Sequence, residues 1–171
     1  MNIRKALGRR YRTYLRYRRS RASLRLVASA AGPPTVNGPT ILSRQTHLGR
    51  NTHFNGLVIA GGGKVTIGDN FHSGVDCRFI TQNHNFDSGD AIPYDATYVL
   101  REIVIGDNVW LGDRVIVLGG VNIGEGAIVQ AGSVVVSDIP RCAIAGGHPA
   151  RVFKHRDVEH YERLKANGKF H

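Results

Sequence analysis

The chain has 171 residues, of which 42% are hydrophobic, 21 are Gly and only two are Cys. That composition excludes a disordered chain, a helical bundle and a disulfide scaffold: the apolar fraction is globular, glycine weakens helices, and Cys77 with Cys142 fits a reducing compartment. No apolar run is long enough to span a bilayer, and the net charge of +10 sits at one end, since ten of the 23 cations fall in the first 25 residues while the other 13 balance the 13 acidic residues.

Residues 1–34 form a basic arm whose cations run from Arg4 to Arg25, and the first acidic residue of the chain is Asp69. Met1 to about Tyr17 reads as a helix. On it Ile3, Leu7, Tyr11 and Tyr14 share one face with Leu15 at its edge, and Lys5, Arg9, Arg12 and Arg16 lie opposite. Arg18 returns to the apolar face, which ends the amphipathic stretch near Tyr17. Tyrosines at headgroup depth beside cations fit an anionic membrane surface. Packing against the domain, nucleic-acid binding and an organellar transit peptide are the other readings. The expected location is cytoplasmic, with the arm peripheral on the inner face of the membrane.

Gly32-Pro33-Pro34 marks a break, and a six-residue period governs residues 35–146. Val36, Leu42, Leu48 and Phe54 lead its first units, with Thr40, Thr46, Thr52 and Val58 four places on. One extra residue in Gly61-Gly62-Gly63 shifts the register, which resumes at Ile67, Ser73 and Phe79, with Phe71 and Cys77 as second inward residues. The stretch 81–98 is too polar to continue the repeat and reads as an inserted loop, after which Val99 restores the frame. From Ile105 the period is strict: Ile105, Leu111, Val117, Ile123, Val129 and Val135, with Val109, Val115, Val121, Ala127, Ser133 and Ile139 as the second series.

A six-residue unit is too short to bury anything alone. A short strand with two inward residues and a turn eased by Gly, Asp or Asn makes one side of a prism, and three sides close a coil of 18 residues. Inward columns then stack, Val99 on Val117 on Val135 and Ile105 on Ile123. The expected class is all-β, a parallel β-helix. In residues 147–171, Asp157 to about Ala166 reads as a short helix with Gly168 beyond it, capping the last coil.

The frame, the segment IGDNVWLGDRVIVLGGVNIGEGAIVQAGSVV and the ending IAGGHPARVFKHR resemble the left-handed β-helix acyltransferases, in their maltose/galactoside, xenobiotic and polysaccharide O-acetyltransferase branch. The resemblance covers about Val36 to Arg156, and it alone implies the left hand. It further implies acetyl-CoA as acyl donor, no metal, a sugar or glycan acceptor, and a homotrimer with sites between subunits.

By the same resemblance His84, in TQNHNFD, is the general base that takes a proton from the acceptor; an imidazole suits that task at neutral pH. Asp87 is placed to orient it or to cap a turn. Trp110 is expected beside the histidine and the pantetheine arm, and Asp113 near the thioester, its backbone N–H serving the oxyanion. Ala131 and Gly132 match small residues along which the pantetheine lies. The family's following Thr-Lys reads Val136-Ser137 here, so Ser137 is left as a coenzyme contact without the cation. Arg151 and Lys154 match basic residues at the exit of the coenzyme groove, where phosphates need cations. Acidic acceptor contacts of the maltose branch are replaced by Gly61-Gly62-Gly63, which leaves Asn55 as the candidate acceptor contact. The readings from other classes are a non-catalytic β-helix scaffold and a carbonic-anhydrase-like metal enzyme; for the latter, His53 and His72 share a column, but no close histidine pair within the repeats completes a metal site.

Overall fold

The computed structural model describes residues 3–171, with side chains from Leu7 onward. The chain winds into a parallel β-solenoid of about six coils with a helix at each end. Coil one holds Ser29–Ala30 (β1), Thr35–Val36 (β2) and Thr40–Ile41 (β3); coil two holds Thr46–Leu48 (β4), His53–Phe54 (β5) and Leu57–Ala60 (β6). Val65–Ile67 (β7), His72–Ser73 (β8) and Cys77–Ile80 (β9) make coil three, after which an excursion forms an antiparallel ribbon of Gln82–His84 (β10) and Tyr98–Leu100 (β11). Coil four is Ile103–Ile105 (β12), Trp110–Leu111 (β13) and Ile116–Leu118 (β14); coil five is Asn122–Ile123 (β15), Ile128–Val129 (β16) and Val134–Val135 (β17). The last coil opens with an Ile139 bridge to Ile123 and ends in the hairpin Ala143–Gly147 (β18) and Ala150–His155 (β19).

Three faces result. The first stacks β1-β4-β7-β12-β15, the second β2-β5-β8-β13-β16-β18-β19 and the third β3-β6-β9-β14-β17. All twelve residues of the strict series are buried, from Ile105 to Val135 and from Val109 to Ile139. Ile105 pairs with Ile123 as expected. The column under Val117 is different: Phe79, not Val99, pairs with it, and Val135 lies above. Val99 is on the outer ribbon, 38% exposed, and Ile103 is the residue that re-enters the core. A β-branched residue satisfies the six-residue pattern from either place, so spacing alone did not separate them.

The register upstream is also corrected. Leu57 and Ile59 point inward and Val58 does not. β3 pairs β6 through Thr40 with Leu57, 17 residues on, whereas β2 pairs β5 through Val36 with Phe54, 18 on. The corner at Asn55-Gly56 is therefore one residue short, and the glycine run carries two extra residues. Gly56 permits the tight corner with a φ of 154°.

The corners are tied by side chains that repeat from coil to coil. Asp69 Oδ1 accepts from Arg50 N–H (2.7 Å), Asp107 Oδ1 from Asp69 N–H (2.7 Å), and Asp113 Oδ1 from Val75 N–H (2.9 Å). Asn51, Asn70 and Asn108 take positive φ of 54°, 55° and 58° and form an amide ladder, each Nδ2 donating to the next Oδ1 at 2.9 Å for the first two steps. Short polar side chains tolerate that conformation because they bond locally. Gly106 is required for another reason: a Cβ there would lie 2.7 Å from Glu125 N.

The first helix, Ile3–Leu24 (α1), runs a further two turns past the expected end near Tyr17. Ser20 Oγ accepts the Val36 N–H at 3.1 Å, Arg19 donates to the Asn37 carbonyl, and Ser23 is buried. These contacts cover the open edge of coil one and hold the extra turns. Strand pairing starts at Ser29, ahead of Gly32-Pro33-Pro34. The second helix, Val158–Ala166 (α2), is N-capped by Asp157, whose Oδ1 accepts from His160 N–H at 2.9 Å. It does not sit over the last coil. Tyr161 Oη accepts from Asn108 Nδ2 (2.9 Å) and donates to Glu125 Oε1 (2.8 Å), so α2 lies along the flank at the corner between the first and second faces. Among the described residues no helix is long and apolar enough to cross a membrane.

Two buried threonines give a test. Thr52 Oγ1 has no partner, whereas Thr81 Oγ1 donates to the Ala60 carbonyl and accepts from Gly63 N–H, both at 3.0 Å. Thr52→Val is expected to raise unfolding free energy by about 1 kcal/mol, and Thr81→Val to lower it by about 1–3 kcal/mol, in urea titrations. Equal signs for the two would contradict the assignment.

Candidate active site

The excursion after β9 departs because Thr81, buried at the corner, sends the chain outward and Arg101 returns it, with Arg101 N–H bonded to the Thr81 carbonyl at 2.8 Å. Between them β10 and β11 pair with Gln82 opposite Leu100, Asn83 opposite Val99 and His84 opposite Tyr98. The loop at their tip is knit by two side chains. Asn85 Oδ1 accepts from Ser88, and its Nδ2 donates to Thr97; Asp95 takes the Thr97 N–H and hydroxyl on one oxygen and the Asp90 N–H on the other. Those three Asp95 bonds, Thr97 foremost, hold its carboxyl below the usual range.

The fold of this loop brings Tyr94 over His84. Their rings stack with centroids 3.7 Å apart at 16°, and Tyr98 lies against the imidazole at 4.7 Å. His84 Nδ1 is buried and makes no hydrogen bond. Asp87 is exposed and does not bond to it. The imidazole is thus held in place by two aromatic rings, with one ring nitrogen free to serve an incoming group. An unpartnered buried nitrogen costs stability, and a site for a partner is its ordinary explanation. Neither tyrosine was picked out from sequence; Tyr98 becomes His84's cross-strand partner only once the ribbon's register is known.

The other expected site residues fall on different parts of the prism. Asn55, Asp113, Ala131 and Gly132 line the corner between the second and third faces, and Arg151 lies beside that corner at the β18–β19 turn, opposite Gly146. Asn55 Nδ2 donates to the Ser73 carbonyl at 2.9 Å, and its Oδ1 accepts from Asn37, so its amide already has partners. Gly132 has a φ of 72° with open space where a Cβ would be, so its need for glycine is conformational. Ser137 follows β17 at the corner between the third and first faces, the corner from which the His84 excursion leaves two coils below. Lys154 is exposed on β19 opposite Ile144. Within one chain, His84 and the Ala131–Gly132 corner are not brought together.

Trp110 stands on the outside of the second face, 53% exposed, in a column with His53, His72 and Ile128. It shares no contact with His84. Instead it helps line a cavity of about 570 Å³ between this face and the C-terminal segment, with His72, Arg156, Tyr161, Leu164 and Phe170. Arg156 is part of the wall, its Nε donating to the Gly126 carbonyl at 2.6 Å and its guanidinium 5.6 Å from the Tyr161 ring. Burial and the Glu125 carboxylate push the Tyr161 hydroxyl well above the usual phenol range. Burial works against the Glu125 charge, but bonds from Lys165 and Tyr161 outweigh it and hold the carboxyl below its ordinary value.

His53 and His72 stack at 4.4 Å, as their shared column implies, and His171 comes edge-on to His72 at 5.4 Å. Among the described residues no group of His, Cys, Asp and Glu is arranged to hold a metal ion.

A pattern for the bacterial transferase hexapeptide (six repeats) matches residues 102–137. A Saccharomyces cerevisiae protein described as a candidate acetyltransferase is 38% identical over 98 residues, 57% of this chain and 49% of that one. The solved structure of galactoside acetyltransferase in complex with coenzyme A has a TM-score of 0.64 and 29% identity, covering 81% of this chain and 68% of that chain. A hexapeptide-repeat acetyltransferase of Vibrio cholerae complexed with acetyl coenzyme A has a TM-score of 0.53 and 29% identity, over 74% and 64%. The chain spans about half the length of the yeast relative. The strict period, the solenoid it builds and these matches place the chain in the hexapeptide-repeat acyltransferase family.

Burial, then the neighbouring His72, His171 and Arg16 charges, pushes His53 below the ordinary histidine value; burial does the same for His72. Depressed values mean that the unfolded chain binds more protons than the folded one at about pH 6.5 and below, so folding stability falls as pH drops through that window. Melting temperature between about pH 8 and pH 5 is expected to decline, and a His53→Gln, His72→Gln double variant to show a flatter profile. An identical slope would remove these rings from the pH response.

Proposed function

We propose that the chain is an acyl-CoA-dependent acyltransferase that moves an acetyl group from acetyl-CoA to a hydroxyl of a sugar or polysaccharide intermediate, with His84 as general base. The observation that carries the reading is His84 itself: an imidazole clamped between Tyr94 and Tyr98, with an unpartnered Nδ1. The coenzyme A and acetyl coenzyme A held by similar solved structures support the donor.

In this mechanism the acceptor hydroxyl gives its proton to His84 as its oxygen attacks the thioester carbonyl. The tetrahedral oxyanion is stabilised by a backbone N–H, for which Asp113 is the candidate, its carboxylate being occupied by Val75. Collapse breaks the C–S bond, and the imidazolium returns the proton to the departing thiolate. The products are the acetyl ester and free coenzyme A. Arg151 and Lys154 offer cations to the coenzyme phosphates, and Ala131, Gly132 and Ser137 leave room along their corners. His84→Ala is expected to lower kcat by about 10²–10⁴-fold with an unchanged melting temperature, read as thiol release from acetyl-CoA across a panel of sugars. Retention of more than about a tenth of the activity would remove His84 as the base.

The active unit is a homotrimer with each site between neighbours. Support comes from the distribution of the residues: His84 leaves one corner, while Trp110, Ala131 and Gly132 lie elsewhere. The ribbon also carries exposed apolar side chains, Phe86, Ile92, Tyr94, Tyr98 and Leu100, with Ile92 96% exposed. Such a patch is the usual mark of an interface. Co-refolding equal amounts of inactive His84→Ala and Trp110→Ala chains should rebuild about a quarter of the sites. No recovery, with a monomer in sedimentation, would place each site within one chain.

A further inference from the structure

The face of α1 that meets the solenoid is not its apolar face. Ser20, Ser23 and Arg19 make the contacts with coil one, and Leu15 is half-buried beside them. Leu7, Tyr11, Tyr14, Tyr17 and Leu24 point away, all between 37% and 63% exposed, and Leu26 continues the patch. Ile3 and Lys5, which belong to the expected faces, lie outside the described side chains.

Cations are interleaved with this outward face. Arg18 lies over the Tyr14 ring at 5.9 Å and Arg21 over Tyr17 at 5.7 Å, with Arg21 also bonded to the Tyr17 hydroxyl at 3.0 Å. At 100° per residue Arg10 falls between them and Arg25 at the margin. No acidic residue precedes Asp69, and among the described residues none of the α1 arginines is in an ion pair. Arg9, Arg12, Arg16 and Arg19 are turned to the other side, where with Asn37 they line a cavity of about 310 Å³. The helix is fastened to the domain through a polar edge, and what it presents outward is an aromatic and aliphatic stripe in a field of unneutralised charge.

We infer that this face docks on a bilayer surface carrying anionic headgroups, with the tyrosine and leucine side chains at headgroup depth and Arg10, Arg18, Arg21 and Arg25 among the phosphates. Charge complementarity selects the occupant. A second copy of the same helix would bring like charges together, and a nucleic-acid backbone would leave the aliphatic groups in water with nothing to bury against. Tyrosine and arginine both have apolar stems and polar tips, which suits a boundary rather than a dry interface. The inference is independent of the acyl transfer, because none of these residues belongs to the proposed site.

Flotation of the full-length protein with phosphatidylcholine vesicles, and with vesicles containing about one-third phosphatidylglycerol, reads the binding directly. Binding to the anionic vesicles only, weakened by salt, is the expected result. Each cation at such a surface is worth about fivefold in partitioning, so Arg18→Gln with Arg21→Gln should cost about 25-fold. Tyr14→Ala with Tyr17→Ala should cost about tenfold. Arg9→Gln with Arg12→Gln, on the cavity side, should cost less than the outward pair. No flotation on anionic vesicles at low salt overturns the inference, as does equal binding to neutral ones. A tyrosine variant that floats as well as the parent reduces the attraction to charge alone and overturns it too. Loss of self-association in that variant by sedimentation would assign the face to a second copy. Tighter binding to a DNA duplex than to anionic vesicles, at equal salt, would assign it to nucleic acid.

Discussion

Everything in this molecule hangs on a column of side chains that must coincide from coil to coil. Parallel strands stacked about 4.8 Å apart put each inward residue directly on its predecessor, so the core is a set of vertical stacks such as Phe79, Val117 and Val135. A single coil buries nothing by itself; the stacks exist only when neighbouring coils agree in register. That is why the corners are as constrained as the core. Asp69, Asp107 and Asp113 hold N–H groups of the coil below, and the Asn51, Asn70 and Asn108 amides run as a continuous ladder. A turn that were free to drift would carry the next strand's inward residues out of their columns.

The same constraint explains where chemistry sits. A column of stacked valines and isoleucines has no room for a reactive group. A catalytic side chain therefore has to stand outside the prism, either on an outer face, as Trp110 does, or on chain expelled from the repeat, as His84 is. The excursion leaves at Thr81 and returns at Arg101 with the register intact, so coil four stacks on coil three as though nothing intervened. The loop is then free to be shaped by its own contacts, Asn85 and Asp95 folding its tip and Tyr94 closing on the imidazole. Rigid scaffold and adaptable loop are separated along the chain.

The two helices answer the solenoid's two open problems differently. At the start, the edge of β2 would leave the Val36 N–H in an awkward half-buried position, and Ser20 of α1 supplies an oxygen to it. At the other end the chain folds back on itself: β19 adds to the edge of β18, and α2 runs down the flank, where Tyr161 joins the amide ladder to Glu125. The C-terminal segment thereby roofs the outer surface around Trp110 and His72 instead of covering the last coil.

From sequence alone the period, the class of fold, the inward identity of the residues from Ile105 to Ile139 and the expelled loop were all legible, because a repeat of six with two inward positions is a property of spacing. The helix at Asp157–Ala166 was legible for the same reason, through its cap. Spacing is silent where units gain or lose a residue. A one-residue deficit at Asn55-Gly56 and a two-residue excess in the glycine run look like a single insertion until the strands are paired, and this put Val58 inward in place of Leu57 and Ile59. Val99 fitted the frame as well as Ile103 did; only the pairing of β11 with β10 sends it outward. His84 was visible as a histidine at the mouth of the excursion, but its clamp of Tyr94 and Tyr98 depends on contacts across a ribbon and a loop that no local pattern encodes. The destination of α2, the separation of His84 from Trp110 and the outward turn of the Tyr11–Tyr14–Tyr17 face are likewise tertiary. Each is settled by which surface offers hydrogen-bond partners and space, and that is a property of the assembled solenoid, not of any one segment.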